Sequence, residues 1–289
     1  MTEFHADDYG LFIGQSKRIL RCWKSGSLNG TSIIPNGKHL SECLSLLPES
    51  GIALTVHLNF MQGKCLAPIE TVPLLVDNNG VFDISFAKLF LSSYSRRRET
   101  YKQQLKAEIH AQIHMLLPYF EKHHISLRID GHAHWHMIPV VFDALMETII
   151  EEDLAVSYIR FPSEPLPLYL RKLLKLLPFP PINIVKSILL RALARRNRKR
   201  WSQALSGMET KVFLGVFLSN CFDLRRMTAI LPDAEIYAES RAQGLEILAH
   251  PGAVKEVWNL AEITNKSDYR FFTCPSRDME AEGFIRICR

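Results

Sequence analysis

Short apolar runs alternate with stretches of helical spacing along almost the whole chain, and no other feature narrows the choice of fold so far. GTSIIPNG, GIALTVHLNF, SLRID, LAVSYIRF, KVFLGVFL and GLEILAH read as strands, because β-branched and aromatic residues cluster there between turn residues. Between them, LFIGQSKRILRCWKSG carries Ile13, Ile19, Leu20 and Trp23 near helical spacing, with Gly26 as a stop. ETYKQQLKAEIHAQIHMLLPYFEKHH places Leu105, Ile109, Ile113, Leu116 and Leu117 on one helical face, and KHLSECLSLL and VVFDALMETIIEE are further helices. Ahead of all these, the first strand can only be short, from Glu3 to Ala6. Strands alternating with helices imply a parallel sheet, and in a parallel sheet the reactive groups gather just beyond the strand C-termini.

Four strands deliver carboxylates or imidazoles to that edge. HADDYG puts Asp7 and Asp8 at the end of the first strand, GIALTV runs into His57 and Asn59, SLRI runs into DGHAHWHM, and LEILA runs into His250 and Pro251. Adjacent aspartates repel one another and favour turns, so a purely structural account of Asp7 and Asp8 needs a cap or a tight turn. Taken singly, each histidine is more readily a hydrogen-bonded core, strand-face or turn residue than a ligand. A metal site explains them together. One carboxylate with two neutral imidazoles is a common ligand set for a divalent ion such as zinc, with a position left open for water. A second carboxylate can take the proton from that water, whose pKa the ion lowers to near ~7. A histidine from a distant strand, with a pKa near ~6.5, can then protonate the leaving group.

The order HADDYG, GTSIIPNG, VHLNF followed by GKCLAP, DGHAHWHMIP and LAHPG resembles the YdjC-like carbohydrate deacetylase family, which includes chito-oligosaccharide deacetylases and a deacetylase of hopanoid biosynthesis. The resemblance runs from about residue 4 to at least residue 255. It implies a deformed (β/α) barrel and metal-dependent removal of N-acetyl groups from amino sugars; as the divalent ion, magnesium and zinc both fit the ligands. Carried over residue by residue, it implies Asp8, His57 and His132 as metal ligands, Asp7 as base, and His250 as acid or oxyanion-stabilising group. Asn59, His134 and His136 are assigned to the substrate. Two departures stand out: His5 replaces the family's asparagine in a first strand that is nearly absent, so that the strand is short or the true start lies upstream, and Gly131 replaces a frequent serine. An O-acetyl ester or phosphoester would suit the same ligands. A phosphoesterase would be expected to add Arg or Lys near the metal, and the motifs offer only Arg128, two residues before Asp130. A catalytically silent, glycan- or partner-binding barrel is the alternative from another class.

The length of 289 residues and 47% hydrophobic content fit a globular protein with one large core, read as a single domain over 1–289. The opening MTEFHADD lacks the pattern of a signal peptide and no apolar run suggests a membrane span, so a cytoplasmic location is expected. Six cysteines without CxxC spacing argue for free thiols. Residues 162–201 are the exception to this ordinary composition. They carry ten Lys or Arg against one acid, Glu164, while the formal charge of the whole chain is only +5. The prolines at 178, 180 and 181 should break this inserted segment into two helices. It reads as a helical hairpin on the barrel, as a peripheral membrane-surface element serving a lipid-linked sugar, or, least favoured, as a nucleic-acid binder, for which no module accompanies RRNRKR.

Overall fold

The computed structural model describes residues 1–252 and 274–287. Seven strands, β1 (Thr2–Tyr9), β2 (Gly30–Ile33), β3 (Ala53–Leu58), β4 (Leu127–Gly131), β5 (Val156–Ile159), β6 (Lys211–Leu214) and β7 (Gly244–Ala249), form one sheet in the order β5-β4-β3-β2-β1-β7-β6. Every pairing is parallel. The connections are helical: α1 (Ile13–Lys24), α2 (Leu40–Ser45), α3 (Phe86–Ser92), α4 (Arg98–Lys122), α5 (Pro139–Glu151), α6 (Leu166–Arg171), α7 (Leu173–Leu176), α8 (Ile182–Arg200) and α9 (Leu224–Glu239), with α10 (Pro275–Arg286) near the end of the chain. The sheet curls until its two edges touch, where Glu209, just before β6, donates its N–H to the Ser157 carbonyl of β5 at 2.8 Å. A single bridge joins the edges where a closed barrel would have a ladder. The fold is the deformed (β/α) barrel that the resemblance implied.

Two environments flank the sheet. Outside it, α4 buries Leu105, Ile109, Ile113 and Leu116 completely, each worth roughly 1.5–3 kcal/mol of transfer free energy, while Leu117 is only half-buried. Inside the curl, the side chains are charged. Glu3, His5 and Asp7 alternate along β1 and are buried, whereas the intervening Phe4 points out to pack edge-on against Phe284 of α10 at 5.8 Å. Glu3 accepts from Arg128 at 2.7 and 3.0 Å and from Lys211, and His5 hydrogen-bonds Glu3 and Ser32, each at 2.7 Å. Gly30 leaves room for this layer, since a Cβ there would stand 2.6 Å from both Glu3 Oε1 and His5 Nδ1.

The first strand is therefore not the short Glu3–Ala6 piece expected from sequence. It runs to Tyr9 and sits between β2 and β7. Its inward residues are ionic because they pair across the barrel, and apolar patterning cannot report that.

Residues 162–201 lie between β5 and β6 as three helices, because the run before the prolines itself divides at Lys172 into α6 and α7. Glu164, the lone acid, is buried and accepts from the backbone N–H groups of Gly215, Val216 and Phe217 and from the hydroxyls of Tyr169 and Ser187. Asp143 of α5 pins the far end, taking Arg196 at 2.7 Å, Arg200 at 3.1 Å and the indole N–H of Trp201 at 2.7 Å. Among the described residues no helix is long and apolar enough to cross a membrane. Cys22, Cys43, Cys65, Cys221 and Cys274 are free thiols, and Cys288 lies outside the described residues.

Candidate metal centre

Neighbouring residues on a straight strand point to opposite faces, so Asp7 and Asp8 could not serve one site if β1 were regular. It is not regular. The register against β2 shifts between Ala6 and Tyr9, which gives β1 an extra residue, and Asp8 adopts φ +72°. A left-handed non-glycine residue costs of order ~1 kcal/mol or more and persists only where its surroundings impose it. The bulge brings both carboxylates to the same nitrogen: His57 Nε2 lies 3.5 Å from Asp8 Oδ1 and 3.8 Å from Asp7 Oδ2.

His57, at the end of β3, is fully buried and its orientation is fixed from behind. Its Nδ1–H donates to Asp130 Oδ1 at 2.5 Å, and the other oxygen of Asp130 takes Ser32 Oγ at 2.5 Å and Arg160 Nη1 at 2.6 Å. Nε2 is left buried with no hydrogen-bond partner. Coordination would give it a partner. His132 places Nδ1 at 2.8 Å from Asp8 Oδ1, and its ring meets that of His57 edge-on at 5.6 Å. Ligand atoms of Asp8, His57 and His132 all lie within 4.8 Å of one another. One carboxylate and two imidazoles, one of them held by a carboxylate at its far nitrogen, suit a divalent ion.

The electrostatics follow from burial and charge. Burial opposes a charged His57, but Asp130 and Asp7 outweigh it and hold its pKa up to about 10. Burial also pushes the Asp8 carboxyl up, and His132 and His57 overcome it to keep Asp8 well below the usual range. Asp7 is held by Arg160, whose Nη1 lies 2.9 and 3.0 Å from its two oxygens. Arg160 is completely buried and also reaches Glu246 of β7 at 2.6 Å, so one guanidinium ties β1, β4, β5 and β7 together beneath the site.

The remaining expected residues divide. His250 follows β7, its N–H donating to Glu280 of α10 at 2.7 Å, and burial holds its imidazole down to about 4 although Asp8 and Asp7 act to raise it. His134 is partly exposed beside Phe213, ring centroids 5.7 Å apart, with burial and Arg160 keeping it uncharged. His136 is fully buried, its Nε2–H donating to the Arg160 carbonyl at 2.9 Å. Gly131, where the family often has serine, makes room for it: a Cβ there would stand 2.9 Å from His136 Nδ1. Asn59 is also fully buried and shapes the loop after β3, donating to Asn36 and the Gln62 carbonyl and accepting from the Met61 N–H. Gln62 in turn approaches His132 at 3.3 Å. The structure thus gathers Asp7, Asp8, His57 and His132, sets His250 close by, and commits Asn59 and His136 to the backbone.

Sequence reasoning missed several cations and acids here. Arg128, the one basic residue seen near the motifs, belongs to Glu3 deeper in the barrel, while Arg160 from the end of β5 and Arg277 from α10 reach the site, Arg277 Nη2 lying 3.4 Å from Asp8 Oδ2. Asp130 was visible as the acid of DGHAHWH. Nothing in the local sequence around Arg160, Glu246, Arg277 or Glu280 marked them.

The profile of the family described as YdjC-like protein matches residues 3–283. A "Carbohydrate deacetylase" of Thermoanaerobacter pseudethanolicus is 30% identical over 155 residues, 53% of this chain and 57% of that protein. A "Chitooligosaccharide deacetylase" of Proteus mirabilis is 26% identical over 148 residues, 50% of this chain and 53% of that protein. The chain thus spans about half the length of the curated relatives it matches. In fold it is similar to a solved structure from Enterococcus faecalis, named as a candidate cellobiose-phosphate cleavage protein, with TM-score 0.64, 16% identity, and coverage of 98% of this chain and 90% of that one.

Proposed function

Because the chain belongs to the YdjC-like family, we propose that it is a metal-dependent hydrolase that removes the N-acetyl group from an N-acetylated amino sugar, in solution or lipid-linked. Asp8, His57 and His132 would hold the ion, magnesium or zinc. The observation that carries this reading is the unpartnered, buried Nε2 of His57, turned to Asp8 by the Nδ1–H bond to Asp130. When bound, the ion supplies Lewis-acid polarisation of the acetamide carbonyl and lowers the pKa of water.

Asp7 is the base. Arg160 fixes its carboxylate beside the ligands, where it takes the proton from the attacking water and hands it to the amine nitrogen as the C–N bond breaks. The products are acetate and a free amine. His250 starts neutral, so its ring N–H serves better as a hydrogen-bond donor to the charge that develops on the carbonyl oxygen than as an imidazolium acid. His134, partly exposed at the same strand edge, is the histidine of the DGHAHWH run left to meet the sugar, and the chain works as one cytoplasmic domain with 162–201 on its rim.

Acetate release from a panel of N-acetylhexosamine substrates, with and without chelator, tests this reading. Activity unaffected by thorough chelation refutes the metal's part in it. Arg277 beside Asp8 favours one alternative, an anionic substrate such as a phosphoester. Phosphate release from phosphorylated sugars, with no acetate release from acetylated ones, would establish it.

A further inference from the structure

We propose that the outward face of α6, α7 and the first half of α8 docks on an anionic lipid bilayer and sets the catalytic rim of the barrel against its surface. The deacetylase reading enters only in what the rim would do once there.

The face is apolar where a soluble helix should be polar. Leu170, Leu174, Leu177, Ile182, Val185 and Ile188 are between 44% and 86% exposed. They are not core residues left unpacked, since Leu168, Tyr169, Leu176, Leu190 and Leu193 of the same helices fill the core positions. Scattered exposed aliphatic residues need no explanation, but six between Leu170 and Ile188 are a concentration in one stretch of chain.

Charge selects the occupant. In α8 the spacing of Ile182, Val185 and Ile188 continues outward into Ala192, Arg195 and Lys199, all exposed. One helix face is thus aliphatic in its first half and cationic in its second. Lys175, Lys186 and Arg191 are exposed around it, while Arg196 and Arg200 are held by Asp143 and Arg198 lies over the Phe161 ring at 4.1 Å. The segment's single acid, Glu164, is buried, so no carboxylate within it offsets these cations. A second copy of this face would bring the same cations against them, and a nucleic acid would have no use for the aliphatic half. Leucine and isoleucine flanked by Lys and Arg fit acyl chains and anionic headgroups together.

Topology places this stretch at the site. Asn183, near the start of α8, donates to the carbonyls of Phe217 and Ser219, and Glu164 caps the N–H groups of 215–217. Both contacts are to the loop leaving the C-terminal end of β6. In a parallel sheet that is the edge on which β1, β3 and β4 deliver Asp7, Asp8, His57 and His132.

The test is co-sedimentation of the full chain with vesicles of phosphatidylcholine alone or mixed with phosphatidylglycerol, at low and high salt. Binding to the anionic vesicles is expected, weakening about fivefold for each of Arg195 and Lys199 changed to Gln. Leu174→Asp with Val185→Asp should lower it at least about tenfold, with an unchanged thermal melt because both positions are exposed. Absence of binding to anionic vesicles at low salt overturns the proposal, as does binding that the aspartate pair leaves intact. Concentration-dependent self-association abolished by the same pair would assign the face to a second copy and also overturn it. Vesicle binding is read without catalysis and acetate release without vesicles, so failure of one proposal is distinct from failure of the other.

Discussion

Replacing Asp130 by Asn tests whether this carboxylate, which bonds Nδ1 of His57 and not the Nε2 that would coordinate, controls the metal through His57. Three donors converge on Asp130: His57 Nδ1–H and Ser32 Oγ–H at 2.5 Å and Arg160 Nη1 at 2.6 Å. An asparagine amide keeps one oxygen and turns the other into an NH2 donor. If the NH2 faces Ser32 and Arg160, the Ser32 hydroxyl can turn to accept, but the guanidinium N–H of Arg160 confronts another donor in a buried site at a cost of about 1–3 kcal/mol. If it faces His57, Nδ1 must become the acceptor, and the proton moves to Nε2, the atom meant to coordinate. Either arrangement weakens coordination, and outer partners of metal-bound histidines typically govern about 10–100-fold in affinity, or roughly 1.4–2.7 kcal/mol. Calorimetric titration of the metal-free Asp130→Asn protein with Zn²⁺ reads the affinity, and a thermal melt separates it from loss of fold. A folded variant that binds the ion as tightly as the parent would refute the reasoning.

Asp7→Asn should keep the metal while lowering turnover by ~100-fold or more, and Asp8→Asn should lose the metal; metal analysis giving the reverse pattern would exchange the two roles. In the metal-free protein His57 is held up to about 10, so ion uptake near neutral pH should release about one proton and apparent affinity should rise with pH, which calorimetry in buffers of different ionisation enthalpy measures. The sign for stability is opposite: a raised imidazole stabilises the metal-free fold fully below its ordinary 6.5, and that contribution is lost as pH rises through about 10. Gly30→Ala should lower stability by about 1–3 kcal/mol in denaturant titration, because its Cβ would collide with Glu3 and His5 at 2.6 Å; an unchanged midpoint would show that this ionic layer yields easily.

Much of this was legible in the sequence because strand ends and motif order are local signals. The rule that polar groups gather beyond parallel strands places Asp7, Asp8, His57, His132 and His250 at one sheet edge, and the structure brings the first four within reach of one another. What stayed hidden was set by distant pairing. Arg160 reads as one more charge after LAVSYI, yet it binds residues of three other strands, and only the curl of the sheet brings them together. The same curl disguised β1, whose Glu3 and His5 look like surface residues until Arg128 and Ser32 are seen facing them.

The adjacent aspartates show most directly how local and distant causes combine. Two carboxylates in sequence suggested a turn or a metal, and the bulge at Asp8 accommodates both readings: the left-handed residue is the turn, and its effect is to aim two side chains at one imidazole. Once aimed, they are told apart by their partners. Arg160 neutralises Asp7 from inside the barrel, whereas Asp8 faces the two imidazoles. A carboxylate whose two oxygens are already bonded to a guanidinium is poorly placed to bind a cation but is held in a fixed orientation, so in the proposed mechanism the division between ligand and base follows from which side of the bulge the buried arginine lies.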